Sequence, residues 1–148
     1  MVTRLELPYA TTRMVRDTCL CLHVQRAART LARRFDEALK PFTLTHGQFS
    51  LLMSLNRPEP AKMAEVSALL AMDRTTLTAN LKPLERRGLA TVMVDKKDKR
   101  GRRLMLTDAG RALLAEAVPA WKRTHVQIDR LLKHSDPKRL RGDLSAIS

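Results

Sequence analysis

Residues 73–88, DRTTLTANLKPLERRG, have the pattern of one amphipathic helix with defined ends. The stretch opens on Asp73, a favourable N-cap residue, and closes on a glycine, which suits the position just past a helix. At 100° per residue, Leu81 and Leu84 fall within about 40° of Leu77 and form one apolar stripe. Three threonines and an internal proline are poor choices for helix stability alone. This composition suggests that the polar face serves a purpose other than helix stability.

The segments on either side of this helix predict the fold. Residues 62–70 have the pattern of a short helix, and three residues, Ala71 to Asp73, lead from it into the amphipathic helix. After the helix, LATVMV and RRLMLT are rich in strand-forming residues and flank the polar tip DKKDKRG. The order of short helix, tight turn, amphipathic helix and basic hairpin is that of a winged helix-turn-helix. In the short helix we expect four buried side chains, those of Met63, Val66, Leu69 and Leu70.

The face opposite the leucine stripe is low and polar, which suits the major groove of duplex DNA. A threonine offers a hydroxyl to bases or phosphates, and its methyl group can contact thymine. The amides that follow Asp73 can also bind a phosphate. The alternative is an ordinary polar surface. The predicted DNA-binding residues of this helix are Thr75, Thr76, Thr78, Ala79, Lys82 and Arg86.

The net charge of +13 is concentrated around the predicted motif. Six of the eight residues from 96 to 103 are basic, and a narrow basic tip suits the minor groove and its flanking phosphates. The predicted DNA-binding residues of the hairpin are Lys99, Arg100, Arg102 and Arg103, and the alternative is a solvated hairpin. Asp98 is expected to pair with Arg100 or Arg102 and to hold the tip in shape. With three Phe, one Tyr and one Trp, the chain offers few stacking platforms for single strands.

Helices are predicted on both sides of the winged module. One long helix is expected from about Thr12 to Lys40, where Pro41 ends it. Thr45 and Gln48 match a capping box at the start of the next helix. After the hairpin, a long helix begins at residues 107–108, with a kink expected at Pro119. SDPKRL restarts a final short helix.

The outer helices indicate a dimer. Each carries an apolar stripe that the winged module between them offers little to cover, so we expect them to pack on a second copy. The fold class is mainly α with a small β-hairpin wing, a winged helix-turn-helix flanked by N- and C-terminal dimerisation helices. The expected domains are residues 1–44 (N-terminal arm and dimerisation helix), 45–106 (DNA-binding domain) and 107–148 (C-terminal dimerisation helices).

The chain resembles the MarR family of bacterial transcriptional regulators over roughly residues 20 to 134. LTHGQFSLL, MDRTTLTANLKPLERRGL and VDKKDKRGRRLMLTDAG carry the resemblance, the last through Asp95, Asp98, Arg100, Leu106, Thr107 and Gly110. The resemblance implies a homodimer that reads a pseudo-palindromic operator in double-stranded DNA. It also implies release by an unknown small-molecule or oxidant effector. The chain departs from the family at Ser67 and at Ala71, where a left-handed turn would strain an alanine.

Two residues are candidates for effector sensing. Cys21 precedes Arg29 by eight residues, as in the organic-peroxide-sensing branch that this part of the chain resembles. It is therefore a candidate redox sensor, and the alternative is a small buried apolar residue. In one continuous helix, Cys19 would point about 160° away from Cys21, which disfavours a disulfide between them. His46 is the candidate residue for an effector pocket, because it starts a helix near where the family's cavity would lie.

Other classes of function are weakly supported. The histidines lack metal-ligand spacing, and no nucleotide-binding or catalytic motif is present, so we expect no cofactor, no metal and no enzymatic activity. A thiol enzyme using Cys21 with His23 would need two residues on different helix faces. The N-terminus has no signal-peptide core and no segment is long and apolar enough to span a membrane, which predicts a cytoplasmic protein. The main alternative to a sequence-specific regulator is a non-specific architectural DNA-binding protein.

Overall fold

Seven helices and three short strands make up the described part of the chain. The structure is a computed structural model, and it describes residues 6–148. The strands are β1 Ala61–Lys62, β2 Ala90–Val94 and β3 Arg102–Leu106. The helices are α1 Tyr9–Thr18, α2 Leu20–Leu39, α3 His46–Ser54, α4 Met63–Leu70, α5 Arg74–Arg86, α6 Asp108–Asp129 and α7 Pro137–Ser145. The chain divides into two units, one that ends at Arg34 and one that comprises Phe35–Ser148.

The expectation of one long N-terminal helix is wrong. The chain leaves the helical conformation at Cys19, where φ is −70° and ψ is 105°. Just before this break, the Thr18 hydroxyl donates to the Met14 carbonyl at 2.8 Å. Such a hydrogen bond from a side chain to the backbone competes with the hydrogen bonds of a regular helix. Just after it, the amide of His23 donates to the Cys19 carbonyl and so begins α2. Two helices therefore replace one, with a cysteine at the junction.

Leucines from the helices of the second unit form its core around the sheet. Leu39, Leu51, Leu52, Leu77, Leu81, Leu84 and Leu104 are fully or almost fully buried. Met63 and Val66 of α4 are buried as expected, but Leu69 is 70% exposed. On the helical wheel Met63 and Leu70 lie on the same side of Val66, whereas Leu69 lies on the other side and faces solvent.

The predicted hairpin is confirmed, and it belongs to a three-stranded antiparallel sheet. β2 pairs with β3 so that Val92 lies opposite Leu104, and the strand order is β1-β3-β2. β1 pairs with the other edge of β3, where Ala61 also lies opposite Leu104. This two-residue strand, which was not predicted from the sequence, lies directly before α4. It therefore links the wing to the start of that helix.

Several predicted helix ends are confirmed. The Thr45 hydroxyl accepts from the Gln48 amide and the Gln48 side chain accepts from the Thr45 amide, which is the expected capping box. α6 begins after the N-cap Thr107 and continues through Pro119 to Asp129. Among residues 6–148, no helix is long and apolar enough to cross a membrane.

Candidate nucleic-acid interface

The helix-turn-helix is formed by α4, a three-residue turn and α5. Ala71 begins the turn in the left-handed conformation, with φ 49° and ψ 41°. Because an alanine is strained there, the departure noted in the sequence has a structural cost. Met72 donates its amide to the Ser67 carbonyl at 3.0 Å and completes the end of α4. Gly88, with φ 69°, ends the next helix in the conformation that glycine tolerates best.

Asp73 fixes the start of α5 with both carboxylate oxygens. Oδ1 accepts from the amide of Thr76, and Oδ2 accepts from its hydroxyl, each at 2.8 Å. The Thr76 amide and then its hydroxyl hold the pKa of Asp73 below its ordinary value. Of the three threonines, Thr76 thus completes the cap. The Thr78 hydroxyl donates to the Arg74 carbonyl at 2.8 Å.

The two faces of α5 differ as the helical wheel predicted. The helix packs on the core through three leucines that are at most 1% exposed, Leu77, Leu81 and Leu84. The opposite face is open to solvent and carries Thr75, Thr78, Ala79, Lys82 and Arg86. This face presents two hydroxyls, three methyl groups and two cations along one side of the helix, which is a surface that a DNA groove can accept.

The wing is held at its root by a buried ion pair that the sequence did not reveal. Asp95 is 7% exposed and is the one buried charged residue in the described part of the chain. It accepts from the Lys97 amide at 3.0 Å and from Arg103 Nε at 2.9 Å. Arg103 also donates to the Pro60 carbonyl at 3.2 Å, next to β1. The Lys97 amide, and then Arg103, lower the pKa of Asp95 despite the opposing effect of burial.

The expected pairing of Asp98 with the side chain of Arg100 or Arg102 is wrong. Asp98 Oδ1 instead accepts from the backbone amide of Arg100 at 3.0 Å, and its carbonyl accepts from the Gly101 amide at 2.8 Å. A short carboxylate in a tight turn reaches the amide two residues ahead more easily than a long side chain. Asp98 thus holds the tip through the backbone.

These bonds divide the basic residues of the wing into two groups. Arg102 donates to the carbonyls of Lys99 and Gly101, and Arg103 is held by the buried carboxylate. Within residues 6–148, no side-chain hydrogen bond or ion pair is recorded for the four exposed members, Lys96, Lys97, Lys99 and Arg100. A cleft of about 470 Å³ lies between the wing and the helix-turn-helix, and its basic lining residues are Lys62, Arg74, Arg100 and Arg102.

Cys21 lies at the end of a chain of hydrogen bonds in the N-terminal unit. Gln25 Nε2 donates to its Sγ at 3.2 Å, and Arg29 Nη2 donates to Gln25 Oε1 at 3.1 Å. Cys21 is exposed in this single chain, whereas Cys19 is half-buried. The alternative of a buried apolar residue is therefore wrong for the chain by itself. Helix geometry does not disfavour a disulfide between the two cysteines, because Cys19 lies outside the helix.

His46 pairs with Asp36 at the start of α3. Its Nδ1 lies 2.9 Å from Asp36 Oδ1, which also accepts the His46 amide at 2.7 Å. Partial burial opposes ionisation of Asp36, but the amide and ring of His46 outweigh it and lower the pKa. His46 is half exposed. Between Glu6 and Ser148, no group of three or more His, Cys, Asp or Glu side chains could hold a metal ion.

Comparisons with known proteins place this geometry in a family. The model of the MarR family matches residues 44–101. The transcriptional regulator TtmR of Methylorubrum extorquens is 35% identical over 97 residues, which are 66% of this chain and 50% of that protein. The chain thus spans about half the length of that curated relative.

Two solved structures are similar over almost their whole length. The M. tuberculosis transcriptional regulator MosR, solved in complex with DNA, is 38% identical with a TM-score of 0.78. The match covers 87% of this chain and 92% of MosR. The transcriptional repressor CouR, bound to a 23-mer DNA duplex, is 30% identical with a TM-score of 0.77 over 96% of this chain and 98% of its own. The chain therefore belongs to the MarR family of transcriptional regulators, which bind DNA rather than catalyse reactions.

Proposed function

We propose that the chain is a dimeric, sequence-specific DNA-binding repressor that a small ligand or thiol oxidation releases from its operator. The exposed polar face of α5 carries the proposal, because it lies opposite the buried stripe and beside a basic wing. The DNA complexes of MosR and CouR support DNA as the partner, and CouR supports repression. The proposed partner is a pseudo-palindromic duplex, with one winged module on each half-site.

Different residues of α5 have different roles in this proposal. Thr75 and Ala79 contact base edges, and Lys82 and Arg86 contact phosphates. Thr78 donates its hydroxyl proton to the Arg74 carbonyl, so it contacts the bases through its methyl group and as a hydrogen-bond acceptor. Thr76 acts through the helix start, because its hydroxyl proton is already donated to Asp73. The bases are thus read by small side chains and the position along the duplex is fixed by longer cations.

In the wing, Lys99 and Arg100 are proposed to contact the minor groove and its phosphates. Arg102 and Arg103 support the wing backbone through the bonds described above, and Asp98 shapes the tip. The proposed domain division remains residues 1–44 and 107–148 for dimerisation and 45–106 for DNA binding.

The first experiment is binding to a fluorescent fragment of the DNA upstream of the protein's own gene, with random DNA as competitor. The expected result is selective binding. Arg100→Ala should reduce the magnitude of the slope of log K against log salt by about 1.8, because the dimer loses one phosphate contact, of about 0.9, at each half-site. Lys133→Ala, which removes an exposed lysine far along the chain from the wing, is the control and should leave the slope unchanged. Equal competition by random DNA would instead identify a non-specific architectural protein.

Thiol oxidation is the effector mechanism proposed for Cys21. An organic hydroperoxide would transfer one oxygen atom to the Cys21 thiolate and leave as the alcohol, producing a sulfenic acid. A second thiol, from this chain or from the other subunit, would then condense with the sulfenic acid and release water. The exposed Sγ and its link to Arg29 through Gln25 support this role. If oxidation does not release DNA, the effector would be a small ligand, for which His46 is the candidate contact.

Cys21→Ser should therefore bind operator DNA as the wild type does but lose its response to hydroperoxide. The measurement is fluorescence anisotropy of the complex before and after hydroperoxide, and again after dithiothreitol. Cys19→Ser is the matched variant, and it should still react with the oxidant because it retains Cys21. Release of DNA from oxidised Cys21→Ser would exclude Cys21 as the sensor.

A further inference from the structure

Arg87, the residue directly after α5, connects that helix to a distant segment. Its Nη1 donates to the carbonyl oxygen of Thr43 at 2.5 Å, and its Nη2 donates to that of Phe42 at 3.3 Å. The other recorded side-chain hydrogen bonds of residues 73–87 stay within that stretch. In the described part of the chain, Arg87 is thus the one residue of this stretch whose side chain hydrogen-bonds to another segment.

The segment that receives Arg87 has a fixed shape. A 3-10 turn over Lys40–Phe42 follows α2, and Thr43 then adopts the left-handed conformation with φ 53° and ψ 43°. The Thr43 amide donates to the Lys40 carbonyl at 2.9 Å, and Leu44 is buried. This geometry presents two successive carbonyl oxygens to the guanidinium. A planar fork with several donors can bind both, whereas a lysine ammonium lacks that shape.

The hydrogen bonds of Arg87 matter because the other side chains that hold α5 against the core are apolar. Leu77, Leu81 and Leu84 hold the helix by burial, which is not directional. Side chains reach about 5–6 Å from a helix axis, so a roll of about 20° would move the groove-facing ends by about 2 Å. A displacement of that size breaks hydrogen bonds to base edges.

We propose that Arg87 is a positioning residue, whose guanidinium clamps the end of α5 to the carbonyls of Phe42 and Thr43 and sets the orientation of the DNA-reading helix. This inference rests on the proposed function, because the orientation matters for DNA that α5 reads. It distinguishes Arg87 from its neighbour Arg86, which is exposed on the groove-facing side.

The test compares Arg87→Gln with Arg86→Gln, two adjacent arginines with the same change. Operator affinity, affinity for random DNA and the salt slope are measured for each well below its unfolding temperature. Arg87→Gln should weaken operator binding about tenfold, the effect of lost base contacts, with the salt slope unchanged. Arg86→Gln should reduce the magnitude of the slope by about 1.8, as expected for one lost phosphate contact in each of the two subunits. Arg87→Lys, which retains the charge but not the fork, should resemble Arg87→Gln.

Two outcomes would overturn the inference. A slope that falls equally in Arg87→Gln and Arg86→Gln would show that Arg87 binds phosphate. Unchanged operator affinity in both Arg87 variants would show that the clamp does not orient α5. If Arg87→Gln does not fold, the comparison of Arg87→Lys with the wild type decides between these results.

Amide hydrogen exchange of the free protein separates this inference from the proposed function. Residues 74–87 should exchange faster in Arg87→Gln than in wild type or Arg86→Gln, because the end of α5 is released. If the wild-type protein does not prefer operator DNA over random DNA, the proposed function is refuted. The exchange data would still decide whether Arg87 holds the end of α5. Unchanged exchange in Arg87→Gln would overturn the clamp itself.

Discussion

At the scale of single residues, Gly110 in the first turn of α6 has the least room for a side chain among the glycines of residues 6–148. A Cβ atom there would lie 2.1 Å from the Leu89 carbonyl oxygen, which also accepts the Thr107 amide at 3.1 Å. Gly110→Ala should therefore lower the free energy of unfolding by about 1–3 kcal/mol, the cost of overpacking. Gly142→Ala in α7 is the matched control. A Cβ there meets nothing within 4 Å, and the change should stabilise the protein by up to about 1 kcal/mol. Urea unfolding measures the stability of both variants. Equal changes in their free energy of unfolding would contradict the close approach at Gly110.

Residue-level roles could be predicted from the sequence where the chemistry is local. Asp73 as an N-cap and Gly88 as a left-handed helix end depend on neighbours a few residues away, and both are confirmed. The pairing of Asp95 with Arg103 depends on the shape of the tip and on its attachment to β1, which spacing alone does not determine. Asp98 accepts from the backbone amide of Arg100 and not from an arginine side chain, because a short carboxylate reaches a nearby amide in a tight turn more easily.

At the scale of elements, the wing should respond to acid through Asp95. The Lys97 amide and Arg103 hold the pKa of Asp95 below its ordinary value, so the folded state favours the ionised form. This stabilisation is fully present above the unfolded pKa of about 3.9 and is lost as the pH falls through the lower folded pKa. The difference in unfolding free energy between wild type and Asp95→Asn should therefore be constant near neutrality and shrink below about pH 4.

Thermal unfolding of both proteins between pH 3 and pH 7 measures this difference. Lys133→Gln is a control, because lysine does not titrate in that range. A difference that grows as the solution becomes more acidic would contradict the assignment of Asp95 as an ionised anchor.

Elements whose apolar residues recur at a regular spacing could be predicted from the sequence, whereas the junctions between elements could not. α5 and the β2–β3 hairpin follow from periodicity over many residues. The break at Cys19 does not, because the apolar spacing continues across it while the backbone departs at one residue. β1 has two residues and no alternation to detect. The exposure of Leu69 does not follow from the sequence either, because the eight residues of α4 define the buried side of the helix poorly.

At the scale of the whole molecule, apolar side chains remain exposed on the outer helices and in the segments next to them. In the N-terminal unit they include Leu7, Tyr9, Met14 and Leu20, each at least 55% exposed. In the second unit they include Val126, Leu131 and Ile147, each at least 50% exposed. Surfaces of this kind are covered in oligomers, and a second copy is the proposed occupant.

Sedimentation equilibrium should therefore give a mass about twice the 16.8 kDa of the chain. Val126→Glu combined with Leu131→Glu should shift the equilibrium towards the monomer, because charges buried at an interface are costly. Operator affinity should fall with it, since two half-sites are no longer bound together. Leu69→Glu, an exposed leucine of α4, is the control for adding charge and should leave the mass unchanged. A wild-type monomer at micromolar concentration would refute the dimer.

The central position of β3 in the sheet has a consequence for the order of folding. Its partner β2 precedes it by seven residues, whereas Ala61 of β1 must return from far along the chain to meet Leu104. Short hairpins close in about 1–10 μs, and long loops close at a greater entropic cost. We expect a higher φ-value for Val92→Ala than for Ala61→Gly, provided that each change costs more than about 0.6 kcal/mol. On this route the wing would form as a hairpin first, and its attachment to the helices would be one of the last steps of folding.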